Sequence, residues 1–184
     1  MMKSKNIAFW SSTPQQGKTT AARFLMDNLG YTKIAFADPL RFMIERLLHS
    51  AGYSYNEIHW FLNEGKEQDI EVIGASYRHL ARTLGTEWGR NLIHPELWLK
   101  IAEQKFIHTD PPICVDDVRF LNELELLRRY NFALVKVVRD VSRSDADSHK
   151  SDVSLRDFDC WDHVIENNGT LEELCSKVRG IAWS

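Results

Sequence analysis

The part of this sequence with the clearest chemical meaning is an apolar run, a polar loop and the tripeptide Gly17-Lys18-Thr19. The run from residue 6 to residue 11 predicts a buried strand, and the residues from Lys18 onward have helical spacing. A tight loop at the start of a helix directs backbone N–H groups inward and so binds the phosphates of a nucleotide. Gly17 would let the backbone approach closely, Lys18 would reach the β- and γ-phosphates, and the Thr19 hydroxyl would ligate Mg²⁺.

This pattern predicts a phosphate-binding loop (P-loop), although the tripeptide alone is also a common helix start. The strand before it and the helix after it favour the functional interpretation. One position departs from the usual GxxxxGK[ST] spacing, because Ser12 stands for the first glycine. If that position requires a positive φ, the loop carries strain or takes a variant turn. The residues predicted to surround the phosphates are Thr13, Pro14, Gln15, Gln16, Gly17, Lys18, Thr19 and Thr20.

A second candidate group follows another buried-strand pattern and consists of Asp116, Asp117 and Arg119. In an open α/β sheet the carboxyl ends of the strands line the ligand crevice. One of the two acids could therefore order a magnesium shell, and Asp117 is our candidate beside Thr19. Arg119 could neutralise the oxygens of a phosphoryl group in transfer. The alternative is an Asp helix cap beside a surface arginine, which the nearby P-loop makes less favoured.

Short apolar runs alternate with longer segments of helical period. The predicted strands are residues 6–11, 33–37, 113–115, 133–138 and 163–165. The predicted helices are residues 18–29, 39–50, 77–89, 96–106, 120–130 and 171–182. Such alternation predicts an α/β fold in three layers, with a five-stranded parallel sheet flanked by helices.

Two regions interrupt this alternation, and they divide the predicted single domain. Residues 51–110 carry successive helices without an obvious strand, which predicts a helical insertion between core segments 1–50 and 111–184. Residues 140–152 are polar and aperiodic, which is typical of a surface loop.

Length and charge limit the classes of function. The chain has 184 residues, enough for one core with insertions but short for two independent enzymatic domains. Its net charge of -3 gives no general basic field for a nucleic acid polymer or a membrane surface. Three widely separated cysteines, without zinc-site spacing, suit a reducing cytoplasm. No segment resembles a signal peptide or a membrane span.

Several segments, in this order, resemble the bacteriophage-type deoxynucleoside monophosphate kinases. That family belongs to the P-loop nucleoside monophosphate kinases and is similar in architecture to phosphomevalonate and dephospho-coenzyme A kinases. The match covers nearly the whole chain. The segments that carry it are the P-loop, residues 34–41, residues 84–90 with Trp98, and residues 117–123, 137–139, 149–152 and 164–174.

The resemblance implies a P-loop kinase fold in which the helical insertion binds the acceptor and residues 139–152 form a lid. It implies acceptor contacts at Asp38, Arg41, Arg78, Arg82, Arg90, Trp98 and Asp117. Trp98 or Trp88 would stack on the base, with core packing as the alternative. Arg139 would bind ATP, and Arg143 would join Lys18 and Arg119 as a catalytic residue. For each residue of the lid segment, a solvated surface charge is the alternative.

Two positions depart from the family pattern. Arg82 stands where glutamine is expected, and Asp152 stands where glutamate is usual. An arginine at position 82 could donate two hydrogen bonds to a guanine edge, or it could pair with Glu87 or a phosphate. The sequence leaves these options open, together with the accepted bases and the sugar preference.

The predicted reaction transfers the γ-phosphoryl group of ATP to a deoxynucleoside monophosphate, with Mg²⁺ and without a covalent enzyme intermediate. It would run in the cytoplasm, and in the host cytoplasm if a phage encodes the chain. Its partners would be ATP and the deoxynucleotide, and a homodimer is left open. One alternative is a P-loop kinase of another small phosphorylated acceptor, of the dephospho-coenzyme A or phosphomevalonate type. The other is a P-loop ATPase or switch.

Overall fold

The computed structural model describes residues 4–140, 155 and 157–184. The chain forms two compact units: a sheet unit of Met1–Ala35 with Ala102–Ser184, and a helical unit of Phe36–Ile101. Within the described residues, no helix has both the length and the apolar character needed to cross a membrane. The elements are β1 (Asn6–Trp10), α1 (Lys18–Leu29), β2 (Thr32–Lys33), α2 (Asp38–Ser50), α3 (Tyr55–Asn63), β3 (Asp69–Ile70), β4 (Ala75–Ser76), α4 (Tyr77–Arg82), a π-helix (Thr83–Ile93), α5 (Leu97–Ile107), β5 (Ile113–Val115), α6 (Leu121–Arg129), β6 (Phe132–Val138), β7 (His163–Glu166) and α7 (Leu171–Ala182).

The sheet unit contains a five-stranded sheet in the order β2-β5-β1-β6-β7. All of its strand pairs are parallel, with Ile7 of β1 level with Cys114 on one side and Ala133 on the other. Parallel strands place their carboxyl ends at one edge. The residues that follow β1, β5, β6 and β7 therefore share that edge, which is where ligands bind in open α/β sheets.

Both faces of this sheet are covered, which confirms the predicted three-layer α/β fold. Ile7 and Phe9 belong to one buried cluster with Leu25 of α1 and Val178 of α7. Side chains alternate along a strand, so the neighbouring positions face the other way. On that second face Phe132 packs against Phe106 of α5, with ring centroids 5.1 Å apart.

The predicted strand positions are confirmed with small shifts, except at β2. The run from residue 33 to residue 37 was predicted as one strand, but the ladder holds only Thr32–Lys33. One further bond, from the Ile34 N–H to the Cys114 carbonyl, continues the pairing. The chain then leaves the sheet to start α2 at Asp38, so Ile34, Ala35 and Phe36 are buried without being in a strand.

The helical unit is built around Ile44, Leu48, Ile58, Ile70 and Tyr77, which are buried together. The unit begins at Phe36, whereas the sequence placed the start of the insertion near residue 51. The difference arises because α2 supplies the first two of these core residues.

Three elements of the helical unit were not predicted. No strand was obvious in residues 51–110, but β3 and β4 pair there as an antiparallel hairpin. Strands of two residues are too short to show an alternating pattern. Helix α3 was also missed, although its start carries a signal: the Ser54 hydroxyl accepts from the Glu57 N–H, and the Glu57 carboxylate accepts from the Ser54 N–H.

The segment predicted as one helix over residues 77–89 is in fact α4 followed by the π-helix. Two glycines, Gly85 and Gly89, are the buried residues of the π-helix. The indole N–H of Trp98 donates to the Gly85 carbonyl at 2.7 Å, and the Trp98 ring covers Gly89. Trp98 therefore holds the π-helix against the start of α5.

We expect Gly89→Ala to lower the free energy of unfolding by about 1–3 kcal/mol. A Cβ at this position would lie 2.4 Å from an atom of the Trp98 ring, which cannot move without disturbing the core. The matched control is Gly180→Ala in α7, where a Cβ would meet nothing within 4 Å. That change should raise stability by up to about 1 kcal/mol, because alanine has the higher helix propensity. Urea denaturation of both variants measures the difference, and equal effects would contradict this packing.

Candidate active site

A cleft of about 560 Å³ lies in the sheet unit, at the edge where the parallel strands end. Three segments line it: the P-loop with the start of α1, the residue after β6, and the loop from β7 into α7. Its lining residues are Gln15, Gln16, Gly17, Lys18, Thr19, Thr20, Arg139, Asn167, Gly169, Thr170, Leu171 and Leu174. The fold therefore brings together seven of the nine residues predicted to bind ATP. Thr13 and Pro14 belong to the same loop but do not line the cleft.

The P-loop turns through two residues with positive φ, Gln15 at 63° and Gly17 at 108°. Ser12 has no positive φ, so the strain considered for this position is absent. Gly17 is required for a second reason: a Cβ there would lie 2.4 Å from the Asn167 side-chain nitrogen. The Gly17 carbonyl accepts from the Ala21 N–H at 2.9 Å, which joins the loop directly to α1.

The electrostatics of the cleft favour an anion. Lys18 and Arg139 supply two cationic side chains, and the first turn of α1 carries no acidic residue. The amino end of the α1 macrodipole adds partial positive charge at the same place. A polyphosphate therefore finds both backbone donors and cations here.

The loop also contains buried polar atoms available to a ligand or water. Among the residues that the structure describes, the Thr13 hydroxyl and the Gln16 side-chain oxygen are buried without a hydrogen-bond partner. Buried polar atoms in native proteins nearly always have partners, and Gln16 lines the cleft, so its side-chain oxygen indicates a place where a ligand or water binds.

The segment after β7 contributes lining residues that the sequence pattern does not single out: Asn167, Gly169, Thr170, Leu171 and Leu174. A local signal was present, since Asn-Asn-Gly-Thr follows a predicted strand and precedes a predicted helix. Thr170 caps α7 by accepting from the Glu173 N–H. Asn168 and Asp140 exchange two hydrogen bonds of 2.8 and 2.7 Å, which tie this segment to the end of β6.

Beyond β5, the two neighbouring acids have different surroundings. Asp116 is buried, and its carboxylate forms an ion pair of 2.8 Å with Lys33. Asp117 is half-buried and is the next residue along the chain, at the edge where the parallel strands end. The ion pair with Lys33 engages the Asp116 carboxylate, and the metal-binding role predicted for Asp117 stays a prediction.

The Cys114 thiol is not a nucleophile. Burial, and then the negative charge of Asp116, raise its pKa to about 12. The thiolate is the reactive form of cysteine, and it would be absent at neutral pH.

Arg119 is exposed, and its backbone is held firmly at the start of α6. Its N–H donates to the Glu123 carboxylate at 2.7 Å, and the Phe120 N–H donates to the same oxygen at 3.1 Å. Glu123 itself is buried. Arg119 and Asp117 do not line the cleft described above, and their predicted roles stay predictions.

The predicted acceptor residues of the helical unit have varied surroundings. Asp38 and Arg90 are half-buried, while Arg41, Arg78 and Arg82 are exposed. Arg78 forms an ion pair with Glu67. Within the described residues, Arg82 does not form an ion pair with Glu87.

Trp98 is a poor candidate for the predicted base stacking. Its side chain is 3% exposed, and its N–H is bonded within the helical unit. Core packing, the alternative to base stacking, is therefore favoured for Trp98. Trp88, 37% exposed with its ring centroid 6.3 Å from that of Trp98, is the more accessible aromatic of the pair.

The third predicted catalytic residue, Arg143, lies outside the described residues, as does the lid segment beyond Asp140.

A parallel sheet in this order, with a Gly-Lys-Thr loop between its first strand and first helix, is the fold of the P-loop kinases. Comparison with known families makes the class specific. Residues 54–178 match the model of the deoxynucleotide monophosphate kinase family, and the chain belongs to that family.

Individual relatives agree with this assignment. A protein of Acanthamoeba polyphaga mimivirus, provisionally named as a deoxynucleotide monophosphate kinase, is 31% identical over 88% of each chain. The deoxynucleoside-5'-monophosphate kinase of Escherichia phage T5 is 44% identical over 38% of this chain and 28% of its own. The deoxynucleotide monophosphate kinase of Escherichia phage RB69 is 32% identical over 71% of this chain and 54% of its own.

Proposed function

We propose that this chain transfers the γ-phosphoryl group of ATP to a deoxynucleoside monophosphate, giving a deoxynucleoside diphosphate and ADP. The observation that carries the proposal is the cleft in which the P-loop, Lys18 and Arg139 face one space. Membership of the kinase family supports the kind of acceptor. The reaction would take place in the host cytoplasm if the chain is phage-encoded.

On the donor side, the backbone of residues 15–19 cradles the β-phosphate, since the N–H groups at the start of α1 have no partner within the helix. Lys18 and Arg139 neutralise the charge that develops on the phosphoryl oxygens. Electrostatic stabilisation by preorganised groups is usually the largest single contribution to such catalysis. Arg119, together with Arg143, is assigned to the transferring group.

Magnesium fits the oxygen donors available at this edge. Thr19 is exposed in the first turn of α1, and Asp117 follows β5, the strand that pairs with β1. Mg²⁺ prefers hard oxygen ligands and keeps several waters, so one hydroxyl and one carboxylate beside phosphates suffice. When bound, the ion neutralises phosphate charge and orients the β- and γ-groups.

On the acceptor side, the helical unit is assigned to the monophosphate. Its cationic candidates are Arg41, Arg78, Arg82 and Arg90, and Trp88 replaces Trp98 as the aromatic proposed to stack on the base. Guanidinium groups suit this task because they bind phosphate oxygens in bidentate fashion. Asp38, half-buried at the start of α2, is assigned to the sugar or phosphate of the acceptor.

Product analysis tests the proposal. Purified protein with ATP and Mg²⁺ is given each common deoxynucleotide and ribonucleotide monophosphate, and the products are separated by ion-exchange chromatography. We expect ADP to form in step with the diphosphate of at least one deoxynucleotide.

The same assay separates the rival functions when it is extended to a sample without acceptor and to dephospho-coenzyme A and phosphomevalonate as acceptors. ADP release without any acceptor would favour a P-loop ATPase or switch. Transfer only to dephospho-coenzyme A or phosphomevalonate would mean that the chain is a P-loop kinase whose acceptor is not a deoxynucleotide.

A further inference from the structure

Asn167 connects the strand β7 to the interior of the P-loop. Its side-chain amide donates to the Gln16 carbonyl at 2.8 Å, and this contact is buried although the two residues are 151 positions apart. Its backbone N–H donates to the Val138 carbonyl at 2.7 Å, which fixes it to the end of β6. The Asn167 side chain is therefore anchored to the sheet and not to the loop that it contacts.

The contact determines the orientation of one peptide group. In a planar trans peptide the carbonyl and the following N–H point in opposite directions. Because Asn167 holds the Gln16 carbonyl, the N–H of Gly17 is directed away from Asn167. The next peptide is fixed independently, since the Gly17 carbonyl accepts from the Ala21 N–H.

The absence of a side chain at Gly17 is what permits this arrangement. A Cβ there would lie 2.4 Å from the Asn167 amide nitrogen and 3.5 Å from a Leu174 methyl group. The loop sequence and the residue after β7 are thus fitted to each other. Only glycine at position 17 allows the amide to reach the Gln16 carbonyl.

We propose that Asn167 is a positioning residue for nucleotide binding, which holds the Gln16–Gly17 peptide so that the Gly17 N–H is presented to the donor phosphates. This inference rests on the proposed function, because it assumes that the cleft takes ATP. Asn167 itself need not touch the phosphates. Its effect is to keep one donor of the loop oriented before the nucleotide arrives.

The test is the affinity of Asn167→Ala for Mg-ATP, measured by isothermal titration calorimetry beside the melting temperature of the nucleotide-free protein. The matched control is Asn28→Ala, on the exposed side of α1, the helix that follows the P-loop. It removes a side-chain amide that donates to the Phe24 carbonyl at 3.2 Å. We expect the first variant to lose roughly tenfold or more in affinity, because a buried carbonyl loses its donor and the peptide can rotate. The control should bind like the wild type.

A purely structural role predicts another result. Asn167→Ala would then melt at a lower temperature, while the folded molecules bind Mg-ATP like the wild type, and that outcome would overturn the proposal. Failure of the proposed function is distinguishable, because it would appear in the wild type itself, either as no affinity for Mg-ATP or as no transfer to a deoxynucleotide in the product analysis.

If Asn167→Ala does not fold, Asn167→Asp tests the same point while keeping the shape of the side chain. Its added charge is controlled by Thr170→Asp, since Thr170 also lines the cleft and Asp caps a helix as well as Thr does. Asn167→Asp should lose clearly more affinity than Thr170→Asp. Equal losses would mean that charge alone acts, and the positioning role would be wrong.

Discussion

Lys18→Ala should lower kcat for phosphoryl transfer by on the order of 10³-fold or more while the protein stays folded. Lys18 lines the cleft at the first position of α1, where it faces the proposed place of the β- and γ-phosphates. Its ammonium group is most valuable when charge develops on the transferring group, so turnover should fall further than ATP affinity. Steady-state kinetics with the preferred deoxynucleotide measure kcat and the KM for ATP. Circular dichroism checks that the variant is folded.

The control for this change is Lys5→Ala. Lys5 is exposed before β1 and takes part in the fold through its backbone carbonyl, which accepts from the Tyr31 hydroxyl at 2.8 Å. Removing its side chain should leave turnover unchanged. Turnover near the wild-type value in Lys18→Ala would remove the assignment of this lysine.

Arg119→Ala is expected to lower kcat by about 10³-fold or more, up to about 10⁵. Its guanidinium group is assigned to the transferring phosphoryl group, and arginines in that role have effects of this size. The fold should tolerate the change, because the side chain is exposed and the backbone is held separately through Glu123. Surface substitutions away from buried features usually change stability by less than about 0.5 kcal/mol.

Arg129→Ala is the matched control, on the neighbouring helix α6. Arg129 is 65% exposed and lies 3.6 Å from Glu103. An ion pair of this kind contributes at most about 1 kcal/mol, so both stability and turnover should be nearly unaffected. If Arg119→Ala and Arg129→Ala behaved alike in turnover, Arg119 would have no part in the transfer.

The sequence predicted the sheet unit well because its signals are local. Buried parallel strands are short apolar runs, and β5 was found with its observed bounds. The P-loop was equally predictable, since glycine, lysine and threonine must occur together at the point where a strand gives way to a helix. These features depend on a few adjacent residues.

The parts that the sequence did not predict depend on distant contacts. No local pattern shows that Asn167 reaches the Gln16 carbonyl across 151 residues, because that contact exists only once β7 lies beside β6. The π-helix was predicted as an α-helix for a similar reason. Its carbonyl at Gly85 bonds to Trp98, thirteen residues away, and a helical period alone does not reveal such a partner.

Trp98 and Asp116 illustrate how burial decides between interpretations that a sequence leaves open. Both residue types suit a functional site as well as a core. The structure gives Trp98 a packing role, and it engages Asp116 with Lys33 at 2.8 Å. The neighbouring Trp88, which is 37% exposed, thereby becomes the better candidate for contact with a base.

We expect the loop from Ser12 to Thr19 to bind the phosphates of ATP together with magnesium. Calorimetric titration of the wild-type protein with ATP, with and without Mg²⁺, measures this binding. We expect saturable binding of one ATP per chain, tighter with Mg²⁺ and strongly weakened by Lys18→Ala. A folded wild-type protein without magnesium-dependent affinity for ATP or GTP would show that this loop is not a nucleotide site.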